Sequence, residues 1–229
     1  MIELKYRHEY KYPVSNAQIA MLQSRIKPLL EHDPHVGENG IYNIRSLYFD
    51  DCYNSCYYEN ENGTDPREKF RIRIYGHSSE RIALECKRKE RGKTLKTSCL
   101  LTKEQAMQLI KGDYPDITEA RSPVLRKLIL RMRTRMMKPV VIVEYDRIPY
   151  VYKQGNVRIT FDTNVSSSTE IDRFFEKNIR KRPIMPVGQQ LMEVKFDELL
   201  PDHIYRSLQL ESLQQTAYSK YYLCRRFSV

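Results

Sequence analysis

Strict alternation of apolar and ionic residues marks several segments of this chain as β-strands. Residues 2–12 place Ile, Leu, His and Tyr at even positions and Glu, Lys and Arg at odd positions. Residues 69–75, 82–89, 157–162 and 192–196 repeat the pattern. Because successive side chains of a strand point to opposite faces, each segment has one apolar side and one ionic side. The pattern predicts a sheet with a strongly charged face.

This charged face has two interpretations. Most antiparallel sheets simply expose a polar face to water. Here, however, cations recur at alternate positions, as in Lys69, Arg71 and Arg73. Like charges side by side on a sheet repel each other, and an anion between them removes that cost. We therefore favour a face that binds a polyanion.

Helical patterns begin at Ser15, Thr102 and Ser122. The first two start capping boxes, and the third precedes a proline at the first helical position. Apolar residues then recur at spacings of three and four. The predicted buried faces are Ile19, Leu22, Ile26 and Leu29 after Ser15, and Leu125, Leu128, Ile129, Met132 and Met136 after Ser122.

Strands outnumber helices, and no regular βαβ alternation is present. Further strands are predicted over 44–49, 94–101, 140–152 and 156–162, loops over 60–68 and 163–169, a helix over 201–208, and no definite element over 219–227. This order favours an α+β fold with a large antiparallel sheet, which either exposes its charged face or curls around it as a β-barrel. No linker or repeat divides the chain, so we expect a single domain over residues 1–229.

The composition limits the classes of ligand and partner that we expect for this chain. The chain has 229 residues and a net charge of +10, which favours nucleotides, polyphosphate, nucleic acid or an anionic membrane. Five cysteines without a C-x-x-C pair indicate reduced thiols. No apolar run has the length of a signal peptide or a membrane span. We expect a soluble, cytoplasmic protein.

The common catalytic motifs are absent. No glycine-rich phosphate loop, G-x-S-x-G elbow or zinc-ligand spacing occurs. Cations with a few carboxylates remain, and this combination suits phosphoryl transfer, in which Lys, Arg and a divalent ion neutralise the transferred group. The ion requires oxygen ligands, and Glu9, Glu85 and Glu193 are the carboxylates set among the cations.

Eight short motifs occur in order along nearly the whole chain. The motifs are Glu9-Tyr10-Lys11-Tyr12, Ser46-Leu47-Tyr48-Phe49-Asp50, Lys69-Phe70-Arg71-Ile72-Arg73-Ile74-Tyr75-Gly76, Leu84-Glu85-Cys86-Lys87-Arg88-Lys89, Tyr145-Asp146-Arg147, Val157-Arg158-Ile159-Thr160-Phe161-Asp162, Met192-Glu193-Val194-Lys195 and Ser219-Lys220-Tyr221. In this order they resemble the VTC (vacuolar transporter chaperone) polyphosphate polymerase domain, a family of the triphosphate tunnel metalloenzymes.

The resemblance implies an antiparallel barrel with a basic tunnel and flanking helices. It implies transfer of the γ-phosphate of ATP to a growing inorganic polyphosphate, with Mn²⁺ or Mg²⁺. By position, the catalytic residues are Arg71, Arg73, Lys87, Arg147 and Arg158, the matched phosphate-binding residues are Lys11, Lys96 and Lys220, and the matched metal ligand is Glu193. We add Lys69, Lys89 and Lys195 as phosphate contacts, and Glu9 and Glu85 as metal ligands, because they share the ionic strand faces.

One departure from the related hydrolases and cyclases separates the possible activities. Those enzymes begin with a Glu-x-Glu-x-Lys strand, whereas this chain has Arg7-His8-Glu9-Tyr10-Lys11. One carboxylate is thus replaced by a cation, which weakens the case for a metal-activated water. A terminal phosphate oxygen is already anionic and needs no general base, so the departure favours polymerisation over hydrolysis.

Two alternatives remain open. One is a tripolyphosphatase or nucleoside triphosphatase on the same barrel, and the other is a non-catalytic polyanion-binding module. Two basic segments could also contact an anionic membrane surface or a membrane-protein partner, although such runs are more often solvated faces. These segments are Arg126, Lys127, Arg131, Arg133 and Arg135 on one helix, and Arg180-Lys181-Arg182. No common nucleic-acid-reading motif is present, so we do not expect nucleic acid as a partner.

Overall fold

The computed structural model describes residues 6–34, 36–37, 39–118, 120–210 and 213–226. Positions 2–5 of the first predicted strand lie outside the described residues. The strands are β1 (His8–Ser15), β2 (Glu31–His32), β3 (Tyr42–Asp50), β4 (Arg67–Tyr75), β5 (Ser78–Glu90), β6 (Lys93–Leu101), β7 (Lys138–Tyr152), β8 (Val157–Ser168), β9 (Arg182–Pro183) and β10 (Gln189–Phe196). The helices are α1 (Asn16–Ile26), α2 (Ser55–Glu61), α3 (Lys103–Lys111), α4 (Pro123–Arg135), α5 (Asp202–Ser207) and α6 (Lys220–Arg225).

One antiparallel sheet organises the molecule, in the order β1-β10-β8-β7-β3-β4-β5-β6. The short strands β2 and β9 pair with β7 and β8. The two ends of this order meet where Arg7 and Thr94 exchange backbone hydrogen bonds of 3.1 Å. The sheet is therefore curled, with an inner and an outer face, and the α+β class with a curled antiparallel sheet is confirmed.

Helices cover the outer face through two apolar cores. The first packs α3 and α4 on β3, β4, β5 and β7, with Leu47, Ile72, Leu84 and Leu128 fully buried. The second packs α1 and α5 on β8 and β10, with Leu22, Ile26, Ile159 and Met192 fully buried. Because the apolar sides of the strands face these helices, their ionic sides face inward.

The helix starts follow the predicted caps. Ser15 and Thr102 each form a complete capping box, and Pro123 opens α4. The predicted burial of Leu29 is wrong: this side chain is 38% exposed, because α1 ends at Ile26 and the periodicity is lost beyond it. Met136 is likewise exposed, since it caps α4 in the left-handed conformation.

Three segments differ from the sequence predictions. Residues 163–169 were expected to be a loop, but β8 continues to Ser168 because β9 and β7 both pair with this part. Helix α2 was not predicted, and the undecided segment 219–227 contains the six-residue helix α6. Both helices are too short for a periodic signal and owe their stability to tertiary contacts.

A tight hairpin and a register shift join β4 to β5. Gly76 and His77 have φ angles of 57° and 59°, as a type I′ two-residue turn requires. The register shifts between Arg73 and Tyr75, and beyond this irregularity the pairs include Lys69 with Lys87 and Arg71 with Glu85. None of the described helices has the length and apolar character needed to cross a membrane.

Candidate functional site

The curled sheet encloses a cavity of about 810 Å³. Its described wall carries twelve cationic side chains and three glutamates, Glu9, Glu61 and Glu193. The cations are Lys11, Arg67, Lys69, Arg71, Arg73, Lys87, Lys89, Arg91, Lys93, Arg147, Lys195 and Lys220. Tyr48, Tyr145 and the segment 215–222 complete much of the wall. A wall with such an excess of positive charge is suited to a polyanion.

Strands β1, β10 and β5 bring two glutamates among three lysines. Lys87 Nζ lies 2.5 Å from Glu9 Oε2, and Lys195 Nζ lies 3.0 Å from Glu193 Oε2. Lys11 Nζ bridges both carboxylates, at 3.7 Å from Glu9 and 3.9 Å from Glu193. This alternation of signs follows from the β1–β10 register, which pairs each lysine of one strand with a glutamate of the other.

Both glutamates stay ionised although they are buried. Burial alone would raise the pKa of Glu9, but Lys87, Lys11 and Lys195 outweigh it and hold this pKa well below its usual range. Burial also acts against ionised Glu193, whose pKa is held well below its usual range by Lys195, Lys220 and further cations. The carboxylates therefore remain available as anionic ligands over the physiological pH range.

A second cluster lies on β7 and β8, next to α6. Arg147 donates two hydrogen bonds of 2.6 and 2.7 Å to Asp162, in a bidentate pair. Lys220 reaches in from α6 and contacts Asp162 Oδ2 at 2.5 Å and Glu193 Oε1 at 2.7 Å. Arg147 Nη2 also lies 3.5 Å from Glu193. Because each group has a charged partner, the cluster holds the two cations in fixed positions.

On β4, two arginines point into the cavity beside one another. Arg71 binds Glu85 at 2.6 Å and donates a 2.8 Å hydrogen bond to the Tyr48 hydroxyl. Arg73 donates to Ser46 Oγ at 3.0 Å and to the Tyr145 hydroxyl at 3.2 Å. These contacts leave the guanidinium groups rigid before any anion arrives, which is the preorganisation that electrostatic catalysis uses.

Two lysines of the wall differ from the rest in their pKa values. Burial lowers the pKa of Lys69 to about 7, and its hydrogen-bond acceptors are the neutral Asn60 and Ser219. Burial also lowers the pKa of Lys87 to about 8, against the opposing effect of Glu9. Since a bound anion would favour the charged forms, these lysines are expected to take up protons when an anion binds.

Most of the predicted site residues come together in this cavity. Its wall contains Lys11, Lys69, Arg71, Arg73, Lys87, Lys89, Arg147, Glu9, Glu193, Lys195 and Lys220. Three predicted residues lie outside the described wall, namely Lys96, Arg158 and Glu85. Lys96 is 52% exposed and binds Glu85 at 3.0 Å, whereas Arg158 binds Asp33 at 2.7 Å.

The three predicted metal ligands do not form one cluster. No group of three or more His, Cys, Asp or Glu side chains suited to a metal ion occurs in the part of the chain that the structure describes. Glu85 is two residues from Lys87 on β5, and Arg71 and Lys96 hold it there. Glu9 and Glu193, which share Lys11 and Lys195, fit the usual Mg²⁺ arrangement of one or two carboxylates completed by substrate phosphates and water.

Sequence reasoning missed several residues of the described wall, and also Asp162, which lies outside that wall but contacts Arg147. Asp162 and Tyr145 occur in the recognised motifs but had no assigned role, although both contact the predicted cations. Arg67 precedes the alternating segment of β4 by two residues, so extending the alternation would have found it. The segment 215–222 gave no periodic signal, and only its packing reveals it: Thr216 N donates to Lys11 O, and Lys11 Nζ donates to Tyr218 O at 2.6 Å.

The basic helix α4 contributes nothing to the described cavity wall. Glu68 pairs with Lys127 at 2.5 Å and with Arg131 at 3.9 Å. Arg133 pairs with Asp116, and Arg126 donates to Ala120 O. In the other basic segment, Arg180 pairs with Glu170 and Lys181 with Glu144. These two segments are therefore partly neutralised surfaces.

Comparisons with solved structures show the same fold. A Hippeastrum protein described as having a dominant triphosphatase activity has a TM-score of 0.59 and 12% identity, over 97% of this chain and 96% of its own. A Bacillus halodurans protein, provisionally described as an adenylate cyclase, has a TM-score of 0.51 and 16% identity, over 90% of this chain and 87% of its own. The fold is that of the triphosphate tunnel metalloenzymes.

At the sequence level, no curated protein matches this chain significantly. The family model of the VTC domain, in contrast, matches residues 6–228. This match includes the strands that build the cavity and the tail that carries Lys220. The chain therefore belongs to the VTC domain family.

Proposed function

We propose that this protein transfers the γ-phosphate of ATP to a growing polyphosphate chain. The tunnel-enzyme family to which it belongs comprises divalent-metal-dependent enzymes that bind nucleoside triphosphates and polyphosphates. The observation that carries the proposal is the cavity wall of twelve Lys and Arg side chains, with the glutamates Glu9 and Glu193 held among them by ion pairs. Such a wall is suited to a linear chain of phosphates with an associated divalent cation.

The proposed reaction requires little covalent help from the protein. A terminal oxygen of the acceptor chain attacks the γ-phosphorus of ATP, the bond from this phosphorus to the β–γ bridging oxygen breaks, and ADP leaves. Negative charge accumulates on the equatorial oxygens and the leaving oxygen. Arg71, Arg73 and Arg147 are held by hydrogen bonds and ion pairs, so they can stabilise this charge with little reorganisation.

The metal would be held by Glu193, with Glu9 beside it. A bound Mn²⁺ or Mg²⁺ would neutralise phosphate charge and orient the donor triphosphate. Lys220 and Lys195, which contact Glu193 within 3.0 Å, keep this carboxylate in position. Lys11, Lys69, Lys89 and Lys195 are the proposed contacts for the remaining phosphates.

The pairing of Glu9 supports transfer to phosphate rather than to water. A hydrolase needs a group that positions and activates water, whereas Glu9 is bound by Lys87 at 2.5 Å. Arg7, at the position of the second carboxylate of the hydrolases, binds Asp197 at 3.0 Å. Hydrolysis of tripolyphosphate or a nucleoside triphosphate is the second candidate, favoured by the similarity to the Hippeastrum protein with its triphosphatase activity.

Product analysis separates these activities. The purified protein is incubated with ATP and Mn²⁺ or Mg²⁺, and phosphorus NMR follows the products. We expect signals from internal phosphates together with ADP. Orthophosphate or pyrophosphate without chains would indicate the hydrolase, and tight binding of tripolyphosphate without turnover would indicate a polyanion-binding module.

The predicted cytoplasmic location is consistent with ATP as the donor. Fractionation of cells measures this location.

A further inference from the structure

The cavity ends at a defined level of the tunnel. Among the described residues, its wall includes Arg73, Tyr145 and Arg147 but not Tyr42, Tyr75 or Arg158. In the sheet register, Tyr42 is paired with Arg147, and Tyr75 lies two residues beyond Arg73 on the same strand. Tyr42 and Tyr75 are therefore inward-facing side chains that border the wall residues Arg147 and Arg73 at the edge of the described cavity.

Tyr42 and Tyr75 contact one another from the neighbouring strands β3 and β4. The rings of Tyr42 and Tyr75 meet edge to face with centroids 5.8 Å apart. From β8, Arg158 Nη2 donates a 2.7 Å hydrogen bond to the Tyr42 hydroxyl. Because β7 separates β8 from β3 in the sheet, this bond spans the concave face rather than joining neighbouring strands. The three residues form a connected layer at the edge of the described cavity.

A buried carboxylate holds this layer in place. Asp33 is 5% exposed and lies directly after β2, where its backbone N–H donates to Pro149 O on β7. Its Oδ2 lies 2.7 Å from Arg158 Nη2. The side chain of Arg158 is 34% exposed, so solvent reaches this layer. Its Nε atom is buried and has no hydrogen-bond partner in the structure, so the guanidinium keeps an unused donor.

We propose that Asp33 acts as a latch that sets how far a phosphate chain can extend through the tunnel. Asp33 forms an ion pair with the guanidinium group of Arg158. Without this ion pair, the guanidinium group would face the next phosphate after those bound by Arg73 and Arg147. A chain too short to reach this layer leaves the latch closed. A longer chain must replace Asp33 with one of its own phosphates, and Arg158 then becomes a further phosphate contact. Asp33 is thus a specificity-determining residue for chain length.

This inference rests on the proposed function, because it assumes that a phosphate chain occupies the cavity. It explains why Arg158 lies outside the cavity wall although its strand position faces the tunnel. The latch is a competition between two anions for one cation, so removal of the Asp33 charge should favour only ligands that reach Arg158. Tripolyphosphate and a polyphosphate of several tens of residues are the probes that differ in this respect.

The test compares Asp33→Asn with the wild type by calorimetric titration of both probes. Asn preserves the shape of Asp and removes its charge. We expect the dissociation constant for the long chain to fall by about tenfold, the equivalent of one charge-assisted hydrogen bond, while that for tripolyphosphate changes by less than about twofold. Asp33→Glu, which keeps the charge, should retain the wild-type preference.

Glu31→Gln is the matched control, because Glu31 is an exposed carboxylate two residues away and its loss changes the net charge equally. An equal gain for both probes in Asp33→Asn, or the same gain in Glu31→Gln, would overturn the latch and leave the proposed function intact. Failure of the wild type to bind either probe would overturn the proposed function, and the latch with it. Thermal unfolding of each variant verifies that it is folded.

Discussion

At the scale of single residues, the cavity depends on cations that are already in position before a ligand arrives. Arg71 is held by Glu85 and by the Tyr48 hydroxyl, and Arg147 by Asp162. Ordering a long side chain on binding costs conformational entropy, and these contacts remove much of that cost in advance. The buried carboxylates Glu85 and Asp162 therefore hold these arginines in position, apart from any role that carboxylates have in binding a metal.

Loss of Arg71 should stop turnover without unfolding the protein. In Arg71→Ala, Glu85 keeps Lys96 and Arg73 as partners, at 3.0 and 4.0 Å, so the fold should tolerate the change. We expect kcat to fall by about 10³-fold or more, as for other cations that stabilise a transferred phosphoryl group. Arg73→Ala should behave in the same way. The measurement is the initial rate of ADP release, with circular dichroism to verify folding.

Arg133→Ala is the matched control for Arg71→Ala, because Arg133 is a surface arginine on α4 whose partner Asp116 is exposed. It should keep the wild-type rate. Wild-type rates in both Arg71→Ala and Arg73→Ala would contradict the placement of the reaction in this cavity.

The pKa values of Lys69 and Lys87 predict a pH dependence of ligand binding. Their pKa values of about 7 and about 8 in the free protein mean that both are largely neutral at pH 9. Bound phosphates raise these pKa values, so binding takes up protons and weakens as the pH rises from about 7 to 9.

The measurement is the dissociation constant for tripolyphosphate between pH 7 and pH 9, with proton uptake obtained from calorimetry in buffers of different ionisation enthalpy. Lys69→Arg is the control, because a guanidinium does not titrate in this range. Its profile should be flatter than that of the wild type. A flat wild-type profile, or an equally steep profile for the variant, would contradict the assignment.

At the scale of elements, α6 is the helix that brings Lys220 to the sheet, and a buried hydrogen bond anchors it. The Tyr221 hydroxyl donates to Asp50, whose carboxylate also accepts from the backbone of Cys56 and Tyr57 at the start of α2. Asp50 is fully buried at the end of β3. This residue therefore joins β3, α2 and α6, and all three elements contribute to the cavity wall.

Tyr221→Phe removes the hydroxyl group that anchors α6 to Asp50 and keeps the packing of the aromatic ring. The ring remains against Tyr48, while the buried Asp50 loses one donor, at a cost of about 1–3 kcal/mol in the free energy of unfolding. Tripolyphosphate binding should also weaken, because Lys220 is less firmly held. Denaturant titration and calorimetry measure the two effects.

Tyr222→Phe is the matched control for this anchor. Its hydroxyl bonds to Glu61 on the exposed surface at 3.1 Å, and its loss should change the unfolding free energy by less than about 0.5 kcal/mol. Equal stability losses in the two variants would show that the Asp50 bond has no special role.

At the scale of the whole molecule, the charge is distributed so that the excess of cations lies inside the curled sheet. The chain carries a net charge of +10, and the basic residues of α4 and of 180–182 are partly neutralised by neighbouring carboxylates. The described cavity wall, in contrast, has four times as many cations as glutamates. Mutual repulsion within this wall is unfavourable for folding, and a bound polyanion relieves it.

Tripolyphosphate should therefore stabilise the folded protein. At a ligand concentration one hundred times the dissociation constant, linkage predicts a gain of about 2.7 kcal/mol in the free energy of unfolding. Thermal unfolding with and without tripolyphosphate measures this gain. The same concentration of orthophosphate should have a much smaller effect, because a single phosphate contacts few of the cations.

A nucleic-acid-binding surface would behave differently. Binding of a long RNA along an exposed basic face would show a steep salt dependence and little competition from tripolyphosphate. Complete displacement of a bound polyanion by tripolyphosphate would instead support the enclosed site. Resistance of the bound polyanion to such competition would contradict it.

The alternation of residues was sufficient to predict much of the sheet and most of the cavity wall. Because side chains of a strand alternate strictly, Lys69, Arg71 and Arg73 had to share one face once Phe70, Ile72 and Ile74 were placed in the core. The capping boxes of α1 and α3 are equally local, since a cap joins residues only three positions apart. The similarity of the motifs to a known family supplied the curled architecture, which alternation left undecided.

Only the tertiary structure decided which charged residue meets which. The sequence by itself determined the inward direction of Glu85, Arg158 and Glu193, but the register and curl of the sheet gave them different partners: Arg71, Asp33 and the lysines around Glu193. The tail that carries Lys220 contacts Lys11 through Tyr218, and the Asp33 latch contacts Arg158, in each case across more than a hundred positions. Contacts of this kind depend on how distant strands are arranged, and no local pattern encodes that arrangement.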